Sequence, residues 1–150
     1  MSVLHLYLIN DLIKEEDIHP SLVGNMHMPI HMELSEGCST IAMGRSNSNR
    51  NINYKISTLA GRHIISRIHS VITRDSYDNA FHIWDYSING TFVNYKRVNG
   101  TMVLNDGDIV TFGHPQGASI MEGWTVIPYR WDLKYKVVIQ EPSERKNRED

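Results

Sequence analysis

Three chain-reversing pairs constrain this chain most: Asn89-Gly90, Asn99-Gly100 and Asp106-Gly107, set seven to ten residues apart. Asn-Gly and Asp-Gly are strong turn signals because Gly, Asn and Asp enter positive φ at little cost. No long helix fits such spacing, whereas a short strand does. Between and around the turns lie runs rich in β-branched and aromatic residues: Phe81 to Trp84, Thr91 to Val93, and Asp108 to Phe112. Val3 to Ile9, Ser39 to Met43, Ile64 to Ile72 and Lys134 to Ile139 also read as extended. Many short strands with turns about every ten residues predict an all-β sandwich or barrel. The best helical candidate, Asp11 to Ile18, is short and stopped by Pro20, so it counts as a connector. In DYSINGTFVN (85–94), Asn89-Gly90 reads as a two-residue hairpin turn with both residues at positive φ.

With 150 residues, 41% of them hydrophobic and 21% charged, the chain is of ordinary single-domain size and globular composition. Cys38 is its one cysteine, so no intrachain disulfide forms and a reducing, intracellular compartment is expected. No apolar run is long enough to span a membrane, and MSVLHLYLINDL lacks the basic start of a signal peptide. The net charge of −2 conceals an uneven distribution: residues 1–44 carry −5, residues 45–97 carry +5 and residues 98–150 carry −2. A basic middle between acidic flanks suggests an anionic partner for one surface.

Four fragments stand in order: STIAMGR (39–45), ISRIHSVI (65–72), DYSINGTFVN (85–94) and LNDGDIVTFG (104–113). Together they resemble the forkhead-associated (FHA) domain, whose pattern runs Gly-Arg, Ser-Arg-x-His, Ser-x-Asn-Gly-Thr and Gly-Asp-x-Ile/Val before a closing Phe-Gly. The resemblance implies a β-sandwich of about eleven strands that binds phosphothreonine peptides with loops at one end, an interaction module and not an enzyme. The expected domain is 1–140, with its motif core at 39–113, a long connection at 114–134 and a charged, mobile tail at 141–150. That end lacks terminating logic, so a longer parent chain is expected.

The residue chemistry fits this role independently. A phosphothreonine brings about −1.5 to −2 charges and three acceptor oxygens, matched by an Arg fork and a short hydroxyl donor. By resemblance, Arg45 and Ser66 hold the phosphate, Arg67 assists and Asn89 bonds the peptide main chain. Gly44, His69, Gly90 and Thr91 are expected to support the site, with Gly44 letting the chain turn as its strand ends. Gly61-Arg62 competes with Gly44-Arg45, but it stands too close to Ser66 to leave room for a loop and a returning strand. Ile88 departs from the family, where Thr or Ser often precedes Asn-Gly and its hydroxyl touches the phosphate. Ser87 is a candidate to compensate, and Ile88 to floor an apolar side-chain pocket. The long connection holds Trp124, Tyr129 and Trp131, expected to pack on the sandwich, with a partner surface as the alternative.

Other chemistries are poorly supported. Ser66, His69 and Asp85 invite a catalytic triad, but on a strand positions 66 and 69 point to opposite faces. Among the eight histidines, His27 and His31 are split by Pro29, so no metal site and no cofactor are expected. An overall pI near 6.4 and the absence of a motif argue against nucleic acid. The main alternative is a phosphate-independent interaction module or homodimer on the same fold. The partner is expected to be a phosphorylated protein, and the family suggests the nucleus.

Overall fold

The structure, a computed structural model, describes residues 1–9, 28–45 and 51–142. Its eleven strands are β1 Val3–Leu8, β2 His31–Leu34, β3 Thr40–Gly44, β4 Tyr54–Lys55, β5 Ser70–Arg74 and β6 Phe81–Asp85, followed by β7 Thr91–Val93, β8 Lys96–Arg97, β9 Thr101–Leu104, β10 Ile109–Phe112 and β11 Lys134–Gln140. The order β2-β1-β11-β10-β7-β8 makes a six-stranded sheet, and β4-β3-β5-β6-β9 a five-stranded one. β3 and β4 run parallel; the other paired strands are antiparallel. This is the all-β sandwich expected from the turn spacing. Asp11 to Ile18, His27 and residues 143–150 lie outside the described residues.

Alternation of side chains along each strand builds the core. Leu4 and Leu6 of β1, Met32 and Leu34 of β2, and Ile72 and Ile83 of the opposite sheet are buried between the layers. Phe112 and Tyr135 meet there edge to face, ring centroids 5.7 Å apart. Each such side chain contributes roughly 1.5–3 kcal/mol through the water it sheds. At one end of β5, Arg74 is buried and donates to the carbonyls of Ser2 at 2.6 Å and Ser35 at 3.0 Å, closing that end.

The expected strand from Ile64 to Ile72 is shorter in the structure, where β5 begins only at Ser70. Residues 64–69 form a loop whose Ile65 is fully buried, so the apolar run there reports burial and not extension. β2, β4, β8 and β9 were not expected; β4 and β8 have only two residues each, too few for a pattern.

The turns do something different from what their sequence suggests. Asn89-Gly90 leads from β6 to β7, Asn99-Gly100 from β8 to β9, and Asp106-Gly107 from β9 to β10. In every case the two strands belong to different sheets. Gly90, Gly100 and Gly107 take positive φ, whereas Asn89, Asn99 and Asp106 do not. These are corners of the sandwich, not hairpins. The tight hairpin is Asn94-Tyr95, both at positive φ, joining the paired strands β7 and β8.

Candidate functional site: a basic groove at the loop end

His69 organises this end of the sandwich. It is fully buried, accepts the Ser66 backbone N–H on Nδ1 at 3.1 Å and donates from Nε2 to the Gly90 carbonyl at 2.8 Å. One ring therefore joins the loop before β5 to the turn after β6. Burial lowers its pKa to about 4, against the opposing pull of the Gly90 bond and of Asp85, so the ring is neutral at pH 7. The Asp85 carboxylate accepts from the Ser87 hydroxyl at 2.6 Å and the Thr91 hydroxyl at 2.9 Å. Ser66, His69 and Asp85 thus form no relay: both imidazole nitrogens are engaged with backbone groups. His69 and Ser66 sit together in a loop, so strand alternation does not set which way either side chain faces.

Gly44 ends β3 against the neighbouring loop. A Cβ there would overlap the Arg67 carbonyl, and Gly44 has no positive φ. Its absent side chain provides room for close approach, not a turn. Just beyond it, the Arg45 N–H donates to the Ser66 carbonyl at 3.0 Å, and Arg45 Nε to the Ile65 carbonyl at 2.8 Å. This anchors the base of the guanidinium while Arg45 lines a groove of about 780 Å³ with Ser66, Arg67 and Ile88. Ile68, Val71 and Tyr86 add an apolar wall. The Ser66 hydroxyl oxygen accepts the Ile88 N–H at 3.1 Å, and its own proton has no acceptor among the described residues. A guanidinium, a free hydroxyl proton and a second arginine at one groove can bind an anion bearing several oxygens.

The structure brings Arg45, Ser66 and Arg67 together but places Asn89 differently. Asn89 does not line the groove; its amide donates to the Ile64 carbonyl at 3.1 Å and braces one loop against the other. Ser87 cannot stand in for a hydroxyl at position 88. It donates its proton to Asp85 and accepts the Gly90 N–H at 2.8 Å. Ile88 itself is 71% exposed beside the groove. Arg62 does not line it.

Several positioning residues carried no sequence signal. Arg97 is buried and donates to the carbonyls of Gly117 at 2.7 Å, Ile120 at 2.5 Å and Ile88 at 3.1 Å. It ties the long connection to the turn at Ile88. Asp132, also buried, accepts from the Thr58 hydroxyl at 2.8 Å and the Leu59 N–H at 2.8 Å, holding the start of the Ser66 loop. Trp131 is buried and donates to Phe112, whereas Trp124 stays 55% exposed. The basic middle segment is therefore only partly a surface feature: Arg74 and Arg97 are structural, while Arg45 and Arg67 line the groove.

The FHA domain family model matches residues 41–113. The chain is 32% identical over 76 residues to the meiosis-specific serine/threonine-protein kinase mek1 of Schizosaccharomyces pombe, which is 49% of this chain and 16% of that kinase. The chain therefore spans well under two-thirds of that relative's length. The crystal structure of the FHA domain of the CT664 protein from Chlamydia trachomatis superposes with a TM-score of 0.53 at 16% identity, covering 93% of this chain and 97% of that one. Mycobacterium tuberculosis EmbR in complex with a low affinity phosphopeptide gives a TM-score of 0.51 at 19% identity, over 92% of this chain and 24% of that one. At these identities the two structures speak to the fold alone. With the ordered motifs, the two-sheet topology and the family match in one place, the conclusion is that this chain carries an FHA domain.

Proposed function

We propose that the chain is a phosphothreonine-peptide-binding module that recruits a phosphorylated partner protein through the groove. The observation that carries this reading is the meeting of Arg45, Ser66 and Arg67 at one groove, with the Ser66 hydroxyl proton unclaimed among the described residues. Arg45 supplies the charged fork, Ser66 a short donor and Arg67 a second charge at the rim. Asn89 still offers an amide N–H and its carbonyl oxygen to a peptide main chain. The phosphopeptide bound by EmbR, a protein of similar fold, supports the same chemistry. A nuclear setting is part of the proposal and is checked by imaging the tagged chain.

Ile88 favours a second reading, a phosphate-independent interaction or dimerisation surface on the same fold, because it is apolar and 71% exposed where a hydroxyl is common in the family. Titration of matched phosphothreonine and threonine peptides separates the two. The proposal expects tighter binding of the phosphorylated peptide, lost in Arg45→Ala. Phosphoserine should bind more weakly, since the threonine methyl fills a small apolar space. Equal affinity for both threonine peptides would overturn the proposal in favour of the second reading.

A further inference from the structure

Antiparallel pairing of β1 with β2 sets His5 opposite Glu33 and Tyr7 opposite His31. Residues two apart on a strand share a face with their cross-strand partners, so all four lie together. Leu4, Leu6, Met32 and Leu34 occupy the inner face, which puts this cluster on the outer face of the six-stranded sheet. There His5 Nδ1 stands 2.8 Å from His31 Nε2 and 3.6 Å from a Glu33 carboxylate oxygen. The His5 side chain is only 11% exposed, while Glu33 reaches solvent at 40%. The rings of His5, Tyr7 and His31 stack, with the Tyr7 and His31 centroids 4.7 Å apart.

The protonation pattern follows from the fourth partner. His5 Nε2 faces the Gln140 side-chain oxygen at 3.3 Å, an atom that only accepts, so Nε2 carries the hydrogen. In the neutral ring this leaves a lone pair on Nδ1, aimed at His31 Nε2 and Glu33. A single proton thus lies between two imidazole nitrogens with a carboxylate oxygen alongside.

We propose that this cluster is a divalent-metal site taking Zn²⁺, which replaces that proton with His5 Nδ1, His31 Nε2 and Glu33 as its three protein ligands. Two imidazoles and a carboxylate are an established zinc donor set, leaving a fourth position for water. With bonds of about 2.0–2.1 Å, tetrahedral ligand atoms stand roughly 3.4 Å apart, between the 2.8 and 3.6 Å already present. All three donor atoms lie within 4.8 Å of one another. Gln140 orients His5 from the far side of the ring, as an outer-shell acceptor does for a metal-bound histidine. The strands themselves fix the donors, and binding would clamp the edge strand β2 onto β1.

Isothermal titration of the full chain with ZnCl₂ near pH 7.5 tests this. One zinc per chain is expected at micromolar affinity or better, with no comparable uptake of Mg²⁺, which prefers all-oxygen sites. His31→Ala and Glu33→Gln should each weaken zinc binding at least tenfold, while His82→Gln, in a separate His/Asp cluster, should leave it unchanged. Zinc should raise the melting temperature of wild type and not of His31→Ala. His31 and Glu33 are not core residues, and circular dichroism verifies that their variants fold. Absence of stoichiometric binding, or full retention of it in both ligand variants, would overturn the assignment.

Discussion

Gly117 lies so close beneath Asn89 that a Cβ added to it would overlap the Asn89 carbonyl. The long connection between β10 and β11 is therefore part of the support for the Asn89-Gly90 turn. Gly117→Ala should push that turn away from the Ser66 loop, destabilising the fold by about 1–3 kcal/mol. Peptide titration and urea denaturation together check this: affinity should fall more than tenfold in a chain that still folds.

Arg97 holds the same junction from the other side. Arg97→Ala removes the donor of the Ile120 and Ile88 carbonyls and leaves the Gly117 carbonyl only the Ile120 N–H. A cost of about 1–3 kcal/mol is expected, since partly buried carbonyls lose a charged donor. Arg97→Lys should recover only part of it, because an ammonium cannot spread across three acceptors as a guanidinium does. Denaturation midpoints of the three proteins provide the measurement.

Ile88→Thr should strengthen phosphothreonine binding. The new hydroxyl can add one hydrogen bond to a charged group, worth roughly 1.5–3 kcal/mol, or about ten- to a hundredfold in affinity. Ile88 is 71% exposed, so stability should change little. Unchanged affinity in a folded variant would show that the phosphate does not reach position 88.

Two pH effects are expected, and different probes read them. The unfolded chain's His69 titrates near 6.5, while in the fold burial lowers it to about 4. Between these values the unfolded chain binds more protons, so stability rises with pH. The contribution is fully present above about pH 6.5 and is lost as pH falls toward 4, on the order of 3 kcal/mol in all. His114, also lowered by burial, adds in the same direction. Denaturation at pH 7.0, 5.5 and 4.5 should show a shallower slope in His69→Gln than in wild type. Peptide affinity should fall separately below about pH 6, as the phosphate loses its second charge; an unphosphorylated peptide should show no such step.

Much of this was legible in the chain itself. Thr91 to Val93 matches β7, and Asp108 to Phe112 nearly matches β10, because β-branched and aromatic runs bounded by Gly turns are local signals. Arg45, Ser66 and Arg67 were singled out from ordered motifs and chemistry, and they share one groove. Asn89 was singled out the same way, yet its amide is turned to Ile64, a choice set by a loop 25 residues earlier. His31 was considered for metal with its near neighbour His27, whereas the inferred site pairs it with His5, 26 residues away, through strand pairing.

By itself the sequence determined the bends at Asn89-Gly90, Asn99-Gly100 and Asp106-Gly107. Positive φ at Gly90, Gly100 and Gly107 is open to glycine without steric cost, a property of the single residue. Only the tertiary structure decided what each bend connects. Asn89-Gly90 looks like a hairpin and is a corner between sheets, while Asn94-Tyr95, with a bulky ring at φ 67, makes the hairpin. The choice rests on which apolar faces are buried against each other and on donors such as Arg97 and His69 reaching distant carbonyls. Those energies belong to pairs of residues far apart in the chain, and they exist only once the two sheets have met.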